Sequence, residues 1–428
     1  MRASRVPIGR HGVSGHTADS RSLRIAMFAD FHPATLGGIQ TSMRAQRTAL
    51  ERLGHRVTVF TIPPPELTPP DPDIVVLATT GGLTVNGYPV ALPTRRNARL
   101  IDAAFAERGF DVVHAQTTYG AGVAGLRAAR RHGLPLVQSM HSRDDSFIER
   151  NSPFPYLAAL TMRVLHGGFV GLRAAMPRLP ESRTARHAWR PLVAQAQAAD
   201  HVVVPTRHFA QRLAAHGVDR PTHVVSNGVD DDLVRALPQR SSDRGRLLRV
   251  LWCGRFSAEK RPLEAIEAVH RAEGCLLDVY GAGALEPRLR SAVDRLGLRE
   301  RVRLHGEVSQ AECLAAMRTH DVLLFPSAGC DTQGMVLLEA VAAGLPVLHC
   351  DPDVTETVPA GGEYRARDAS TDALAEALRE LADRPDRLDA MREVLARHAD
   401  RTLQSRFTAR LVSVYTEAIA AAASARLP

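Results

Sequence analysis

LRIAMFADFHPATLGGIQTSMRAQRTALERLGHRVTVFTI, residues 23–62, is the stretch that decides the fold. LRIAMFAD is a short, continuous apolar run, the pattern of a strand buried on both faces of a parallel sheet. After the loop FHPATLGG comes a helical stretch, IQTSMRAQRTALERLG, which closes on Gly54 as a helix C-cap does. HRVTVFTI is a second apolar run. Strand, helix, strand in that order is a βαβ unit, which can close only as a parallel pair with a crossover helix.

The alternation continues on either side of that unit. DIVVLAT, DVVHAQ, LPLVQSMHS and DHVVVPT read as further strands with Ala-rich helices between them. The rhythm breaks at NGVDDDLVRALPQRSSDRGRLL, which predicts a linker over 230–247. A second series follows: RVLWCGRF, CLLDVYG, VRLHGEV, DVLLFPSA and LPVLHCD. The predicted fold is therefore α/β, with two Rossmann-like halves at 23–229 and 248–404, their parallel sheets facing across a cleft. Such sheets take ligands at the carboxyl ends of their strands, so motifs there carry the functional signal.

Bulk composition narrows the partners. Among the 428 residues, 54 are Lys or Arg and 46 Asp or Glu, a formal net charge of +8. That balance favours an anionic partner: nucleic acid, a membrane surface or a phosphorylated substrate. Aromatic residues make up only 5%, with no basic-aromatic interleaving for stacking bases, so nucleic acid ranks last. Cys253, Cys275, Cys313, Cys330 and Cys350 are odd in number and lack any CxxC pair, which argues against a disulfide framework or a zinc site and for reduced, cytoplasmic thiols. Residues 1–22 contain no apolar core of a secretory signal and read as a disordered basic tail. No run reaches 18 apolar residues, too little to span a bilayer.

One segment is too long for an ordinary connection. Residues 151–199 contain six Arg and a single acid, Glu181, among apolar stretches such as PYLAALTMRVLHGGFVGL. They read as a solvated helical insertion, or as a basic, partly apolar face that meets a lipid surface or an anionic acceptor.

Five motifs fall at strand ends. Gly37-Gly38 opens the first helix, where paired glycines let backbone N–H groups approach an anion. LPLVQSMHS carries His141 at its carboxyl end, before Ser142. CGRFSAEK carries Arg255 and Lys260, and Lys260 is the only lysine in the chain. It is either a remnant of Arg-biased codon use or a compact point charge set where a guanidinium is too wide. VYGAGALEPRL resembles a dinucleotide turn but lacks the third glycine of GxGxxG. The fifth, FPSAGCDTQGMVLLEAVAAGLPVL, predicts a helix whose N-terminus, Thr332 to Val336, offers free N–H groups, with Asp331 just before it and Glu339 inside an otherwise apolar helix. An unpaired acid there is costly, which marks Glu339 for a function.

Taken in order, Gly37-Gly38, His141, SNGVD (Ser226 to Asp230), GRFSAEK, the GAG turn, VRLHGEV and D-x7-E followed by AAGLPVL resemble the retaining GT-B glycosyltransferases of family 4, over roughly residues 23 to 420. The resemblance implies a cytoplasmic, metal-independent hexosyltransferase with no cofactor beyond a UDP- or GDP-sugar co-substrate. It implies an N-terminal acceptor half, a C-terminal half binding the nucleotide sugar, and a final helix at about 405–428 crossing back onto the first half. Arg255 and Lys260 would bind the donor diphosphate with backbone at Gly38. Asp331 and the amides of Gln333, Gly334, Met335 and Val336 would hold sugar and phosphates, Glu339 the ribose, His141 the donor sugar, and Glu307 the neighbourhood of the base.

The family usually carries Glu where this chain has Asp331, which leaves the donor sugar open. The acceptor is a lipid, a cell-envelope glycan or a small metabolite, with contact to the inner face of the plasma membrane through 151–199 as one location. Three rival readings stand beside it: a nucleotide-sugar epimerase on the same fold, a non-catalytic nucleotide-sugar-binding protein and, last, a nucleic-acid binder.

Overall fold

The computed structural model describes residues 21–426 apart from 83, 86, 172–174 and 241–244, so most of the basic tail expected at 1–22 lies outside the described residues. The first half runs β1 (Arg24–Phe28), α1 (Gly38–Arg52), β2 (Arg56–Thr61), β3 (Ile74–Val76), a hairpin β4 (Thr84–Val85) and β5 (Tyr88–Pro89), α2 (Arg95–Arg108), β6 (Val112–Ala115), α3 (Gly120–His132) and β7 (Leu136–Ser139). It continues through α4 (Asp144–Asn151), α5 (Pro155–Val170), α6 (Arg183–Ala198), β8 (His201–Val204), α7 (Arg207–Ala215) and β9 (Thr222–Val224).

Seven of these strands form one parallel sheet in the order β3-β2-β1-β6-β7-β8-β9. The run LRIAMFAD behaves as its apolarity predicts. Ile25 and Met27 enter one core cluster and Ala26 and Phe28 another, so both faces of β1 are covered. Phe28 stacks on Phe60 of β2 at 4.4 Å between ring centroids. Gly54 lies one residue beyond Leu53, which caps α1.

After α8 (Asp231–Arg235) the second half comprises β10 (Leu248–Cys253), α9 (Pro262–Arg271), β11 (Cys275–Tyr280), α10 (Glu286–Arg295), β12 (Val302–Gly306), α11 (Gln310–Met317) and β13 (Val322–Phe325). It ends with α12 (Met335–Ala343), β14 (Val347–His349), β15 (Glu363–Arg365), α13 (Thr371–Asp383) and α14 (Pro385–Ala396). Its six parallel strands order as β12-β11-β10-β13-β14-β15. Strands β9 and β15 and the hairpin were not expected. Each edge strand has three residues, too short and too polar to read as an apolar run.

The last helix, α15 (Gln404–Ser424), returns to the first half. Leu411, Val414, Tyr415 and Ala418 join the cluster of Ile25 and Met27, and the buried Tyr415 hydroxyl bonds Nδ1 of His114 at 2.7 Å. The two crossings between halves lie side by side. Val229 N donates to Thr402 O at 2.8 Å and Gln404 N to Val229 O at 2.9 Å, a double strand that can act as a hinge. The expected linker begins as a helix: α8, capped by Asp230, occupies its start.

Among the described residues of 151–199, α5 and α6 account for 155–170 and 183–198, and only part of the segment is a solvated face. Trp189, Leu192, Val193 and Ala196 of α6 belong to the main core of the first half, while Arg183, Arg186 and Arg190 point outward. The basic composition hid a helix with one core face.

Candidate active site

Two helices, one from each half, begin at the domain junction. Gly37 caps α1 with φ 152°, and Gly334 caps α12 with φ 78°. A Cβ on Gly38 would lie 3.5 Å from Cγ of Met335, so the two N-termini meet almost end to end. Each presents unpaired N–H groups and the positive end of a helix dipole, the arrangement that favours an anion.

Lys260 comes to the same junction. It ends a 3₁₀ turn, Ala258–Lys260, that follows β10, and its Nζ donates to Oδ1 of Asp331 in the loop before α12. Burial works against the ammonium, but Asp331, with Cys330 and Glu259 near it, outweighs this and holds its pKa above the ordinary lysine value. The turn itself is pinned across the halves. Asn151, the last residue of α4, donates to Oε2 of Glu259 at 2.7 Å and accepts from Ala258 N at 3.1 Å. Ser257 Oγ completes Glu259 at 2.6 Å.

The loop before α12 is sewn to the first half. Thr332 Oγ1 donates to the carbonyl of His141 at 2.7 Å, and Thr206 Oγ1 donates to the carbonyl of Thr332 at 2.7 Å. The Gln333 side chain accepts from Asn227 N and Nδ2 and donates to Ser226 Oγ at 2.6 Å. Ser42 of α1 donates to Asn227 Oδ1 at 2.5 Å. SNGVD therefore works through Asn227, which links α1 to the loop of the other half. Sequence reasoning quoted the motif but gave that residue no role.

Glu339 is buried on α12, where Gln310 Nε2 donates to it at 2.8 Å. Burial raises its pKa, while Gln310 and the guanidinium of Arg44 on α1 hold it back. Arg44 is anchored to the carbonyls of Pro33 and Thr35 at 2.7 and 3.2 Å. Neither Gln310 nor Arg44 was anticipated: a polar residue on a helix surface gives no sign of facing a buried acid from another element.

His141, two residues past β7, bonds Gln116 through Nε2 at 2.9 Å. Burial pushes its pKa down to about 4, so the ring is neutral at neutral pH and serves as a hydrogen-bond group, not a cation. Just beyond it, Asp144 accepts from the Tyr119 hydroxyl at 2.8 Å, and burial raises its pKa to about 6.

Arg255 and Glu307 are less engaged. Arg255 just past β10 and Glu307 just past β12 are both exposed, at the carboxyl edge of the second sheet. The GAG turn packs against the segment just past β10: a Cβ on Gly281, at φ 138°, would lie 1.9 Å from the Gly254 carbonyl. Its glycines serve close packing of the turn on Gly254–Phe256. Among the described residues, one group of His and carboxylate side chains is close enough to share a cation, His201, His223 and Glu417. It lies where β8 and β9 begin, at the far end of the sheet from His141, and its two imidazoles already bond each other at 2.8 Å.

Two parallel-sheet halves on a double hinge, opposed through strand-end loops, form the GT-B architecture. The description "Glycosyltransferase Family 4" matches residues 36–233 and "Glycosyl transferases group 1" matches residues 248–384, and the chain belongs to these glycosyltransferases. A D-inositol 3-phosphate glycosyltransferase of Thermobispora bispora is 28% identical over 416 residues, 90% of each chain. An alpha-monoglucosyldiacylglycerol synthase of Streptococcus pneumoniae is 21% identical, covering 77% of this chain and 72% of the relative. Among solved structures, the sucrose-phosphate synthase of Thermosynechococcus elongatus superposes with a TM-score of 0.73 at 16% identity, covering 93% of this chain and 100% of the other. Anabaena HepE in complex with UDP gives 0.65 at 15% identity, covering 93% and 100%. These two likenesses concern the fold.

Proposed function

We propose that this glycosyltransferase moves a hexose or N-acetylhexosamine from a UDP- or GDP-sugar to an acceptor hydroxyl with retention of anomeric configuration and without a metal ion. The observation that carries the reading is the meeting of Lys260 with Asp331 beside the opposed N-termini of α1 and α12. That junction combines a mobile cation, free amides and a carboxylate, which suits a diphosphate joined to a sugar.

In the reaction, the acceptor oxygen bonds the anomeric carbon on the face the leaving phosphate departs, and the bond from that carbon to the phosphate oxygen breaks. The acceptor's proton passes to the departing phosphate oxygen. Negative charge grows on the diphosphate, where Lys260, Arg255 and the helix-end amides lower the barrier. His141, Asp331 and the amides of Gln333 to Val336 would orient the sugar, Glu339 would take the ribose diol, and Glu307 would lie near the base. Hinge closure would exclude water and disfavour hydrolysis.

The acceptor is proposed as a lipid head group or a small polyol, following the diacylglycerol- and inositol-directed names of the relatives. No helix among the described residues is long and apolar enough to cross a membrane, so contact with a lipid acceptor would be peripheral, at the inner face of the plasma membrane and through residues 151–199. The test is a screen of UDP- and GDP-sugars against lipid and polyol acceptors in EDTA, with the product's anomeric configuration read by NMR. A β-linked product from an α-linked donor, or transfer that stops in EDTA, would overturn the mechanism. An isomerised donor formed without acceptor would point to an epimerase.

A further inference from the structure

The helices α4, α5 and α6 pack as a trio beside the first sheet, and α5 keeps only one face inward. Ala159 and Val170 are buried on that face, and His166 Nε2 bonds the carbonyl of Thr118 at 3.1 Å. The other face is apolar and open to solvent. Phe154 is 71% exposed, Leu157 59%, Val164 63%, Leu165 55% and Tyr156 47%. Their spacing places Phe154, Leu157, Val164 and Leu165 along one stripe of the helix. Of eleven large apolar side chains exposed among the described residues, these five fall on one helix and its N-cap, so they form a patch and not a scatter.

A cationic row flanks the stripe. Arg183, Arg186 and Arg190 lie exposed along one side of α6. Tyr156 meets His187 edge-to-face at 5.2 Å, which joins the row to the stripe, and Arg163 of α5 bonds Nδ1 of His187 at 3.0 Å. Burial, followed by Arg163, Arg190 and Arg186, lowers the His187 pKa, and burial together with Arg163 lowers that of Arg190. These groups repel one another. Among the described residues none of Arg163, Arg178, Arg183, Arg186 and Arg190 has a carboxylate partner. The acids of the neighbouring segments are already engaged, Glu149 by Ser182 and Glu181 by His216.

We propose that this face, Phe154, Leu157, Val164 and Leu165 rimmed by Arg163, Arg186 and Arg190, docks on the surface of an anionic lipid bilayer. The apolar stripe would sink into the boundary between head groups and acyl chains, and the guanidiniums would sit among lipid phosphates. Excess positive charge beside an exposed apolar helix face fits that surface better than a protein partner, whose interface would bring acids to each buried cation. The face adjoins the catalytic junction through α4, which runs from Asp144 near His141 to Asn151 on the Lys260 turn. Docking there would hold the junction close to hydroxyls at the bilayer surface. The proposal rests on the glycosyltransferase reading for its purpose but not for its test.

The experiment is co-sedimentation of the full chain with vesicles of phosphatidylcholine alone and of phosphatidylcholine mixed with phosphatidylglycerol. Binding is expected only to the mixed vesicles and should weaken as salt is raised. The pair R186E/R190E should weaken it by about tenfold or more. The pair Leu157→Asp and Val164→Asp should abolish it at low salt, with circular dichroism unchanged. Equal binding to both vesicle types, or binding unaffected by either pair of changes, would overturn the proposal. So would a dimer in sedimentation velocity that only the Leu157 and Val164 variants dissolve, because a second copy would then own the face. Calorimetry with UDP and GDP separates the two readings: lost vesicle binding with intact nucleotide binding condemns the docking face alone, and the converse condemns the donor site alone.

Discussion

Lys260, the chain's only lysine, donates its Nζ proton to Asp331, and the pair spans from the turn after β10 to the loop before α12. Each partner is one that the proposed donor would need. On the proposed function, an arriving diphosphate would offer Lys260 phosphate oxygens in place of the carboxylate and free Asp331 for the sugar hydroxyls. A compact ammonium on a flexible stem can make that exchange, whereas a guanidinium fork would keep both carboxylate oxygens. On the proposed function, that exchange would give the lone lysine a reason beyond codon use.

Exchange predicts a split in the Asp331→Asn variant. Binding of the nucleoside diphosphate alone should tighten by roughly threefold to tenfold, because the competing carboxylate is gone and the pair is partly solvated. Sugar transfer should fall, because the sugar loses its acceptor. Lys260→Ala should weaken diphosphate binding and lower kcat/KM by about 10²- to 10³-fold. Calorimetry with UDP and GDP beside steady-state kinetics reads both effects. Weaker diphosphate binding in Asp331→Asn would show that the two residues cooperate in the free protein and do not exchange.

Two glycines separate catalysis from packing. Gly38→Ala meets only ordinary contact with Met335, so its melting temperature should match the parent while transfer falls, the new methyl standing where the proposed donor's phosphate would approach α1. Gly281→Ala places a methyl 1.9 Å from the Gly254 carbonyl at a φ of 138°, and should cost on the order of 2–4 kcal/mol of stability. Thermal melts and kinetics on the two variants should show opposite patterns. A Gly38→Ala protein that melts early would place that glycine with the packing residues.

Asp144 predicts a pH-dependent gain. Burial raises its pKa to about 6, so the folded state binds its proton more tightly than the unfolded chain does. The stability this contributes is present below about pH 4 and is lost as pH rises through about 6. Asn in its place still accepts from the Tyr119 hydroxyl and carries no charge to bury. Asp144→Asn should therefore be more stable than the parent at about pH 8, on the order of 1–3 kcal/mol, with the difference vanishing near about pH 4. Urea unfolding at the two pH values checks the sign, and a variant less stable at the higher pH would mean that the ionised carboxylate has a partner.

The fold was legible because β1 must be apolar on both faces. Ile25 and Met27 serve one cluster and Ala26 and Phe28 the other, and that double demand left a run no helix or edge strand would need. The site was legible one strand end at a time. Lys260, Asp331, Glu339 and His141 each stood out by type or position, but that Lys260 meets Asp331 depends on how two loops far apart in the chain are folded. Residues that act across elements stayed silent: Gln310 behind Glu339, Arg44 on the opposite helix, Asn227 between Ser42 and Gln333. Polar side chains like these look solvent-facing until the partner element is in place. Helix α6 was obscured differently, its arginines drawing attention from the buried face that carries Trp189 and Leu192.

Glu339 provides the test that reaches furthest into the donor site. It is buried, its pKa is raised by that burial, and its partners are the Gln310 amide and the field of Arg44. Glu339→Gln removes a buried charge and keeps an oxygen for Gln310, so folding stability should hold or rise slightly. On the proposed function a ribose diol would lose its charged acceptor in the same change, and hydrogen bonds to charged groups contribute about 1.5–3 kcal/mol, so the KM for donor should rise by about tenfold to a hundredfold. A donor lacking one ribose hydroxyl supplies the second arm of the cycle. The parent should lose a similar factor on the deoxy donor, and the variant should barely distinguish the two donors, giving a coupling energy near the whole single effect. Equal discrimination by parent and variant would place the ribose elsewhere and leave Glu339 as a structural acid balanced by Arg44.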